Sequence, residues 1–292
     1  MHWLEIRFQL PRTKLADVEN QLEAFSALSI SLEDAGDQPL LEPAPGETPI
    51  WNEVTVVALF NNNSDAALIR AALSQHSPLQ NWQVKTIENQ DWERAWMDQF
   101  EPIQFGQNLW ICPSWHEPPD PSATNLMLDP GLAFGSGTHP TTALCLEWLD
   151  AHPPANKSMI DYGCGSGVLA VAALLLGAVE ATGVDIDPQA LQASRNNAEK
   201  NNIPESALQL YTPDTTPDKP ADLLLANILS GPLIALAPTL AGLVKKEGDI
   251  ILSGILEGQV AAVINAYKPW FDITSVSNRE SWSCLTGKKR NE

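Results

Sequence analysis

A glycine-rich segment carries the clearest chemical signal in the sequence. Asp161-Tyr-Gly-Cys-Gly-Ser-Gly167 follows a predicted strand, residues 158–162, and opens a predicted helix, residues 168–176. Glycines at such a turn let the backbone bend sharply and approach a ligand without Cβ clashes. About twenty residues later, Asp185 follows the predicted strand 181–184, where a carboxylate can accept hydrogen bonds from both ribose hydroxyls. Together these residues predict a cofactor that contains a nucleoside.

The acidic residue that leads the turn limits which cofactor fits. Dinucleotide-binding turns typically run G-x-G-x-x-G, with the helix N-terminus facing a pyrophosphate. A carboxylate in that place repels a pyrophosphate but attracts an amino cation or a sulfonium. The D-x-G-x-G-x-G order resembles motif I of the Rossmann-like methyltransferases that use S-adenosylmethionine. That resemblance implies a seven-stranded sheet with a reversed last strand and a cofactor at the carboxyl ends of the strands.

A second segment, Asn227-Ile-Leu-Ser-Gly-Pro-Leu233, directly follows the predicted strand 223–226. Rossmann-like methyltransferases that act on amines or amides often carry [DN]-P-P-[YFW] at this position. There the side-chain oxygen and a backbone carbonyl accept hydrogen bonds from the target nitrogen and aim its lone pair at the methyl carbon. The proline pair and the aromatic residue are missing here, so Asn227 also fits an ordinary turn or cap residue.

A third segment, Leu132-Ala-Phe-Gly-Ser-Gly-Thr-His-Pro-Thr-Thr142, precedes an apolar helix predicted over residues 143–149. Alone, it fits a flexible loop whose Thr and Pro cap a helix. With the other two it resembles the ribosomal protein L11 methyltransferase (PrmA) family, which has F-G-[TS]-G-x-H-x-T-T, D-x-G-C-G-[ST]-G and N-I-L-x-x-P-L in this order. The W-E-x-x-W segment, Trp92 to Trp96, and the N-terminal layout extend the resemblance to nearly the whole chain. Ser136 stands where many relatives have Thr and keeps the hydroxyl.

The resemblance also implies roles for individual residues. The expected cofactor contacts are Thr142, Gly163, Asp185 and Asn227. Asp185 would hold the ribose, and the backbone near Gly163 the methionine moiety. Asn227 would lie between the cofactor and the incoming amine, as the catalytic residue. His139 fits either a place near the site or an orienting role in the loop, and Phe134 fits packing on the cofactor or on the core.

The elements that position these residues fall into two predicted domains. Residues 1–90 alternate as β-α-β-β-α-β, the ferredoxin-like order, and the family layout implies that this domain recognises the substrate. An amphipathic helix follows and is predicted to link the domains over residues 91–102, ending where Pro102 disfavours helical backbone at Glu101. From residue 103 to residue 292, strands alternate with helices, which predicts an α/β domain with a mostly parallel sheet.

Composition narrows the class of protein. The chain has 292 residues, 36 acidic and 17 basic, for a formal net charge of −19. This balance argues against non-specific nucleic-acid binding. It suits a basic partner, and it equally suits a surface charged for solubility. The longest apolar run, residues 168–176, is far shorter than the roughly 20 residues of a membrane helix, so we expect no membrane contact. No signal peptide is recognisable, so a cytoplasmic protein is expected. We also expect the protein to be a monomer.

No metal site is predicted, because the four cysteines are scattered without a C-x-x-C pair and the five histidines form no ligand cluster. The resemblance to the ribosomal protein L11 methyltransferase family implies that this chain is an S-adenosylmethionine-dependent protein N-methyltransferase. Its substrate would be ribosomal protein L11, methylated on lysine ε-amines and the N-terminal α-amine to the trimethyl state. Three alternatives remain: a methyltransferase for another protein amide or amine or for an RNA base, an NAD-dependent oxidoreductase, and a non-catalytic module that keeps the fold.

Overall fold

The computed structural model describes residues 2–36, 38, 49–75, 78–88, 100–129 and 137–291. The chain divides into two compact units, Met1–Gln99 and Phe100–Glu292. Most of the predicted linker helix 91–102, with Trp92 and Trp96, lies outside the described residues. Phe134 and Ser136 of the predicted loop lie outside them as well.

The described residues of the first unit form an antiparallel sheet and two α-helices. Its elements are β1 His2–Pro11, α1 Leu15–Ala24, β2 Ser29–Asp34, β3 Glu53–Asn61, α2 Ala66–Leu73 and β4 Gln80–Glu88. The strands are ordered β2-β3-β1-β4 and every pair is antiparallel. Alternate residues of β1, among them Ile6 and Phe8, are fully buried in one cluster with Leu22 of α1 and Leu73 of α2. This is the ferredoxin-like arrangement that the alternation predicted.

The second unit contains a seven-stranded sheet and a smaller three-stranded one. The strands are β5 Ile103–Phe105, β6 Leu109–Cys112, β7 Thr124–Met127, β8 Ser158–Tyr162, β9 Glu180–Val184, β10 Leu208–Tyr211, β11 Ala221–Asn227, β12 Val244–Leu256, β13 Phe271–Arg279 and β14 Trp282–Lys289. The helices are α3 Pro140–Ala151, α4 Val168–Leu175, α5 Pro188–Lys200, α6 Ser230–Ala235, α7 Ala237–Gly242 and α8 Val260–Tyr267.

The large sheet has the order β10-β9-β8-β11-β12-β14-β13. All the pairs among strands β8 to β12 are parallel, whereas β14 is antiparallel to both β12 and β13. The seven strands and the reversed last strand are as predicted. The chain runs outward from β8 through β9 to β10 and then returns to β11 on the other side of β8. Ligands bind at such a switch point, outside the carboxyl ends of the strands.

Both faces of the large sheet are buried, as the near-continuous apolar strands require. Met159 of β8 packs in a cluster with residues of α3 and α4, whereas its neighbour Ile160 packs in a second cluster with α6, α7 and α8. Successive side chains of a strand point to opposite faces, so these clusters cover the two sides of the sheet. Within the described part of the chain, no helix is long and apolar enough to cross a membrane.

Candidate cofactor and active site

The glycine turn leaves the carboxyl end of β8 with three left-handed backbone conformations. Gly163, Gly165 and Gly167 have φ angles of 81°, 54° and 75°. A Cβ atom on Gly163 would lie 2.2 Å from Cγ2 of Ile228, which lines the same cavity. The N–H of Gly163 donates to the carbonyl oxygen of Val184 at 2.7 Å and so ties the turn to the end of β9. Glycine is therefore required at position 163 both by conformation and by space.

Asp185 follows β9 and is hydrogen-bonded to the turn. Its Oδ2 accepts from the N–H of Gly165 at 2.8 Å, and its Oδ1 accepts from the N–H of Asp187 at 3.0 Å. These two donors fix the direction of the carboxylate. An ionised carboxylate has about four acceptor positions, so two donors leave lone pairs for a ribose diol.

Asp161 occupies a different environment, fully buried on β8 beneath the turn. Its Oδ2 accepts from the N–H of Ala170 at 3.1 Å, while its Oδ1 has no hydrogen-bond partner among the described residues. Burial raises the pKa of Asp161 to about 7; the Ala170 N–H opposes the shift, and the charge of Asp185 adds to it. A buried carboxylate oxygen with no donor favours a cationic group nearby.

Asn227 ends β11, the neighbour of β8. Its Nδ2 donates to Oγ1 of Thr142 at 3.2 Å. Within the described residues, its Oδ1 accepts no hydrogen bond. Thr142, in the first turn of α3, is fully buried and does not line the cavity, whereas the adjacent Thr141 does. The structure thus brings three of the predicted residues, Gly163, Asp185 and Asn227, to one cavity and puts Thr142 behind Asn227.

His139 is the N-cap of α3. Its Nδ1 accepts from the N–H of Thr141 at 3.3 Å and lies 2.8 Å from the hydroxyl of the same residue. The ring packs edge-on against Trp282, with centroids 5.1 Å apart. Burial lowers the pKa of His139, and the charge of Glu280 partly opposes this. Because Nδ1 serves as the cap acceptor, the neutral ring carries its proton on Nε2. His139 caps the start of α3 and also lines the cavity described below, so its position fits both of its predicted roles.

These residues share a cavity of about 610 Å³ at the carboxyl ends of the strands. It is lined by His139, Thr141, Tyr162, Gly163, Gly165, Val184, Asp185, Ile186, Pro213, Asn227, Ile228, Leu229, Pro232, Leu236, Gly254 and Trp282. Most of these side chains are apolar. Sequence reasoning missed Ile186, the apolar neighbour of Asp185. It also missed Trp282 and Pro213, which come from segments without a recognisable motif and reach the cavity only through the fold.

A larger groove of about 880 Å³ lies between α5 and β10. It contains none of the predicted site residues and no glycine turn. We therefore assign the chemistry to the smaller cavity, which lies at the switch point of the sheet. No group of three or more potential metal ligands occurs in the described ranges.

The donor set of this cavity fits S-adenosylmethionine. Asp185 can accept from a ribose diol, the orphaned Oδ1 of Asp161 lies beneath the turn, and the positive-φ glycines leave the backbone accessible. With the reversed last strand of the sheet, these features define a Rossmann-like, S-adenosylmethionine-dependent methyltransferase.

Comparisons with known proteins specify the family. The family model described as ribosomal protein L11 methyltransferase (PrmA) matches residues 2–290. The ribosomal protein L11 methyltransferase of Marinobacter nauticus is 52% identical over 296 residues, covering 99% of each chain. That of Pseudomonas fluorescens strain SBW25 is 50% identical over 292 residues, covering 99% of this chain and 100% of the relative. The chain belongs to the ribosomal protein L11 methyltransferase family, as its motifs predicted.

A solved structure agrees with this assignment. The crystal structure of a ribosomal protein L11 methylase from Lactobacillus delbrueckii subsp. bulgaricus is 32% identical, with a TM-score of 0.60. The match covers 66% of this chain and 100% of that one. The predicted α/β methyltransferase fold is therefore confirmed by a relative as well as by the strand order.

Proposed function

We propose that this chain transfers methyl groups from S-adenosylmethionine to ribosomal protein L11, on lysine ε-amines and the N-terminal α-amine, up to the trimethyl state. The observation that carries the proposal is the position of Asn227. It lies at the carboxyl end of β11, in the same cavity as the glycine turn and Asp185. An amide oxygen there can accept a hydrogen bond from an amine and hold its lone pair in line for displacement.

The residues of the turn and of β9 would hold the cofactor. When bound, S-adenosylmethionine supplies an electrophilic methyl group on a sulfonium. Asp185 would accept hydrogen bonds from the ribose hydroxyls, and the backbone around Gly163 would contact the methionine moiety. The carboxylate of Asp161 beneath the turn would favour the positive charge of the cofactor, since no cation within the described residues pairs with it.

The apolar lining of the cavity would favour the neutral form of the target amine, which is the form that can attack the methyl group. A free lysine has a pKa of about 10.4, so at neutral pH nearly all of it is protonated and lacks a lone pair. The apolar side chains of Ile228, Leu229 and Leu236 line the cavity beside Asn227. An apolar environment lowers the pKa of an amine because burial disfavours the charged form. Asn227 Oδ1 would then accept a hydrogen bond from the neutral amine, which orients its lone pair.

Recognition of the protein substrate is assigned in this proposal to residues 1–90, with residues 91–102 as the linker. The net charge of −19 supports a basic, lysine-bearing partner. The same charge argues against an RNA base as the target. A cytoplasmic monomer would meet ribosomal proteins directly.

Mass spectrometry of purified ribosomal protein L11, before and after incubation with the enzyme and S-adenosylmethionine, tests the proposal. We expect mass increases in methyl steps on lysines and on the N-terminus. Asp185→Ala should bind the cofactor on the order of ten- to a hundred-fold more weakly, because a charge-assisted hydrogen bond is worth roughly 1.5–3 kcal/mol.

Asp187→Ala is the matched control. Asp187 caps α5 by accepting from the N–H of Gln189 and does not line the cavity. This variant should lose some stability but keep its cofactor affinity in calorimetry. Unmodified L11 in the presence of bound cofactor, or methyl label found on RNA instead, would contradict the proposed substrate.

A further inference from the structure

Helix α5 packs two polar side chains against the glycine turn. Ser194 Oγ donates to the carbonyl oxygen of Gly165 at 2.9 Å, and Asn197 Nδ2 donates to the carbonyl oxygen of Ser166 at 2.8 Å. Positions 194 and 197 are about one helical turn apart and so lie on one face of α5. Neither side chain lines the cavity, and Ser194 is fully buried. Two consecutive carbonyl groups of the turn are therefore held by side chains that lie outside the cavity.

Gly165 is held on both of its peptide groups. Its N–H donates to Oδ2 of Asp185 at 2.8 Å, and its carbonyl oxygen accepts from Ser194. Gly165 lines the cavity with a φ angle of 54°, in the left-handed region. A glycine reaches many other conformations at little cost, so a turn with several left-handed glycines is costly to order. Hydrogen bonds on both sides of Gly165 lower that cost before a ligand arrives.

The hydroxyl group of Ser194 has a function that its small size alone does not explain. A Cβ atom on Gly167 would lie 2.7 Å from Ser194 Oγ, so the start of α4 requires a small residue at position 194. Alanine would be small enough, but it cannot donate to the Gly165 carbonyl. The Cys164 thiol lies 3.5 Å from the same hydroxyl. Burial raises the pKa of Cys164 to about 12, so the thiol keeps its proton and can donate to Ser194 Oγ.

We propose that Ser194 and Asn197 are positioning residues that hold the glycine turn in the conformation that binds the cofactor. This inference rests on the cofactor role proposed for the turn. A role in helix packing alone would affect only the stability of the whole unit. A positioning role also predicts that loss of either side chain lets the turn open more often. The cofactor then binds more weakly, because part of the binding free energy is used to order the turn.

Hydrogen–deuterium exchange of the cofactor-free protein measures the opening of the turn. Ser194→Ala removes one donor, and Asn197→Asp removes the other while keeping the shape of the side chain. In each variant, the backbone amides of residues 163–167 should exchange about five- to ten-fold faster, because one carbonyl of the turn loses its partner. This measurement needs neither cofactor nor substrate.

Calorimetry with S-adenosylmethionine measures the effect on cofactor binding. The Kd should rise about five- to ten-fold in each variant, because the turn is no longer held in place before the cofactor binds. The KM for the cofactor should rise with it. The kcat on L11 at saturating cofactor should stay within about two-fold of wild type, because Asn227 and the apolar lining are unchanged.

Two control variants remove similar hydrogen bonds elsewhere in the second unit. Ser158 is buried at the start of β8, and its Oγ donates to Oδ2 of Asp222 at 2.7 Å. Asn125 Nδ2 in β7 donates to the carbonyl oxygens of Asp120 and Ala123 at 2.9 and 2.8 Å. Neither Ser158 nor Asn125 lines the cavity. Ser158→Ala and Asn125→Asp should lower thermal stability but keep the wild-type exchange rate in the turn and the wild-type Kd.

Wild-type exchange in the turn, or a wild-type Kd, in a folded variant would overturn the role of the residue that was replaced. An equal rise in Kd in the control variants would also overturn the proposal, since general destabilisation would then explain the effect. If Ser194→Ala does not fold, Asn197→Asp still tests the neighbouring carbonyl, because Asn197 is only half-buried. A wild-type protein that binds S-adenosylmethionine without methylating L11 would overturn the proposed function, while exchange and calorimetry would still decide the role of Ser194 and Asn197.

Discussion

At the scale of single residues, the site uses the same chemical group for two purposes. Asp161 and Asp185 lie one strand apart, yet their surroundings differ. Asp185 is half-buried and accepts from two backbone N–H groups, whereas Asp161 is fully buried with one donor and an orphaned Oδ1. Asp185 therefore stabilises the turn through its two hydrogen bonds, whereas the buried charge of Asp161 is unfavourable by itself and favours a cationic group nearby.

Asp161→Asn should stabilise the cofactor-free protein at pH 8 by roughly 2–4 kcal/mol. Burial raises the pKa of Asp161 to about 7, so in the wild type an unfavourable buried charge is present above that pH. The folded state binds a proton at Asp161 more readily than the unfolded state does, so this cost falls as the pH is lowered from 8 to 5. Denaturant unfolding at both pH values should show the gain shrinking at pH 5, while calorimetry shows weaker cofactor binding. A variant that is less stable than wild type at pH 8 would refute this account.

Sequence spacing predicted the residues whose role depends on local structure. Gly163 and Asp185 follow directly from a strand, a turn and the next strand, and Asn227 from its place at a strand end. The orphaned Oδ1 of Asp161 and the bond between Asn227 and Thr142 depend on contacts between segments far apart in the chain. Such contacts are set by packing, which no local pattern encodes.

At the scale of elements, most strands of the large sheet and the helices beside it were predictable because their apolar residues recur at strand or helix spacing. The small sheet of β5, β6 and β7 was not, because its three strands are only three or four residues long and too short to show a period. Strand β12 extends over Val244–Leu256, pairing with β11 from Val244 to Ser253 and with β14 from Asp249 to Leu256. The pairing with β11 is irregular at the Lys-Lys-Glu-Gly segment, where Ala221 pairs with Val244 but Leu223 pairs with Asp249.

The stability of the first turn of helix α3 should depend on pH, because its N-cap residue, His139, can be protonated. His139 caps the helix with Nδ1, and burial lowers its pKa from the ordinary value of 6.5. Above pH 6.5, His139 is neutral in both the folded and the unfolded protein. As the pH falls below 6.5, the unfolded protein takes up a proton at His139 before the folded protein does. The free energy of unfolding therefore decreases until the pH reaches the lowered pKa of the folded state. His139→Asn keeps a capping acceptor but does not titrate.

Thermal unfolding of wild type and His139→Asn between pH 7.5 and pH 5 checks this. The difference between the two proteins isolates the His139 contribution, because Asp161 and all other groups titrate in both. We expect wild type to lose stability relative to the variant as the pH falls. A constant difference across the range would show that protonation of His139 is not linked to folding.

At the scale of the whole molecule, each unit has its own core. The buried cluster of the first unit runs from Leu4 to Leu73, and the clusters of the second unit run from Phe105 to Leu285. The residues of the cofactor cavity all come from the second unit. A unit with its own core usually folds alone. The proposed roles of the two units, substrate recognition and catalysis, can therefore be tested by separating them.

A protein consisting of residues 100–292 should therefore fold and bind S-adenosylmethionine as tightly as the full chain. It should methylate a short lysine peptide at the full-length rate, because Asn227 and the cavity are intact. Its kcat/KM on intact ribosomal protein L11 should fall by more than about ten-fold, since the proposed recognition unit no longer holds the target amine near the cofactor. Calorimetry, thermal unfolding and turnover on both substrates measure these effects. Equal rates on intact L11 for the two proteins would refute substrate recognition by residues 1–90, whereas equal losses on peptide and protein would show that the first unit supports the active site itself.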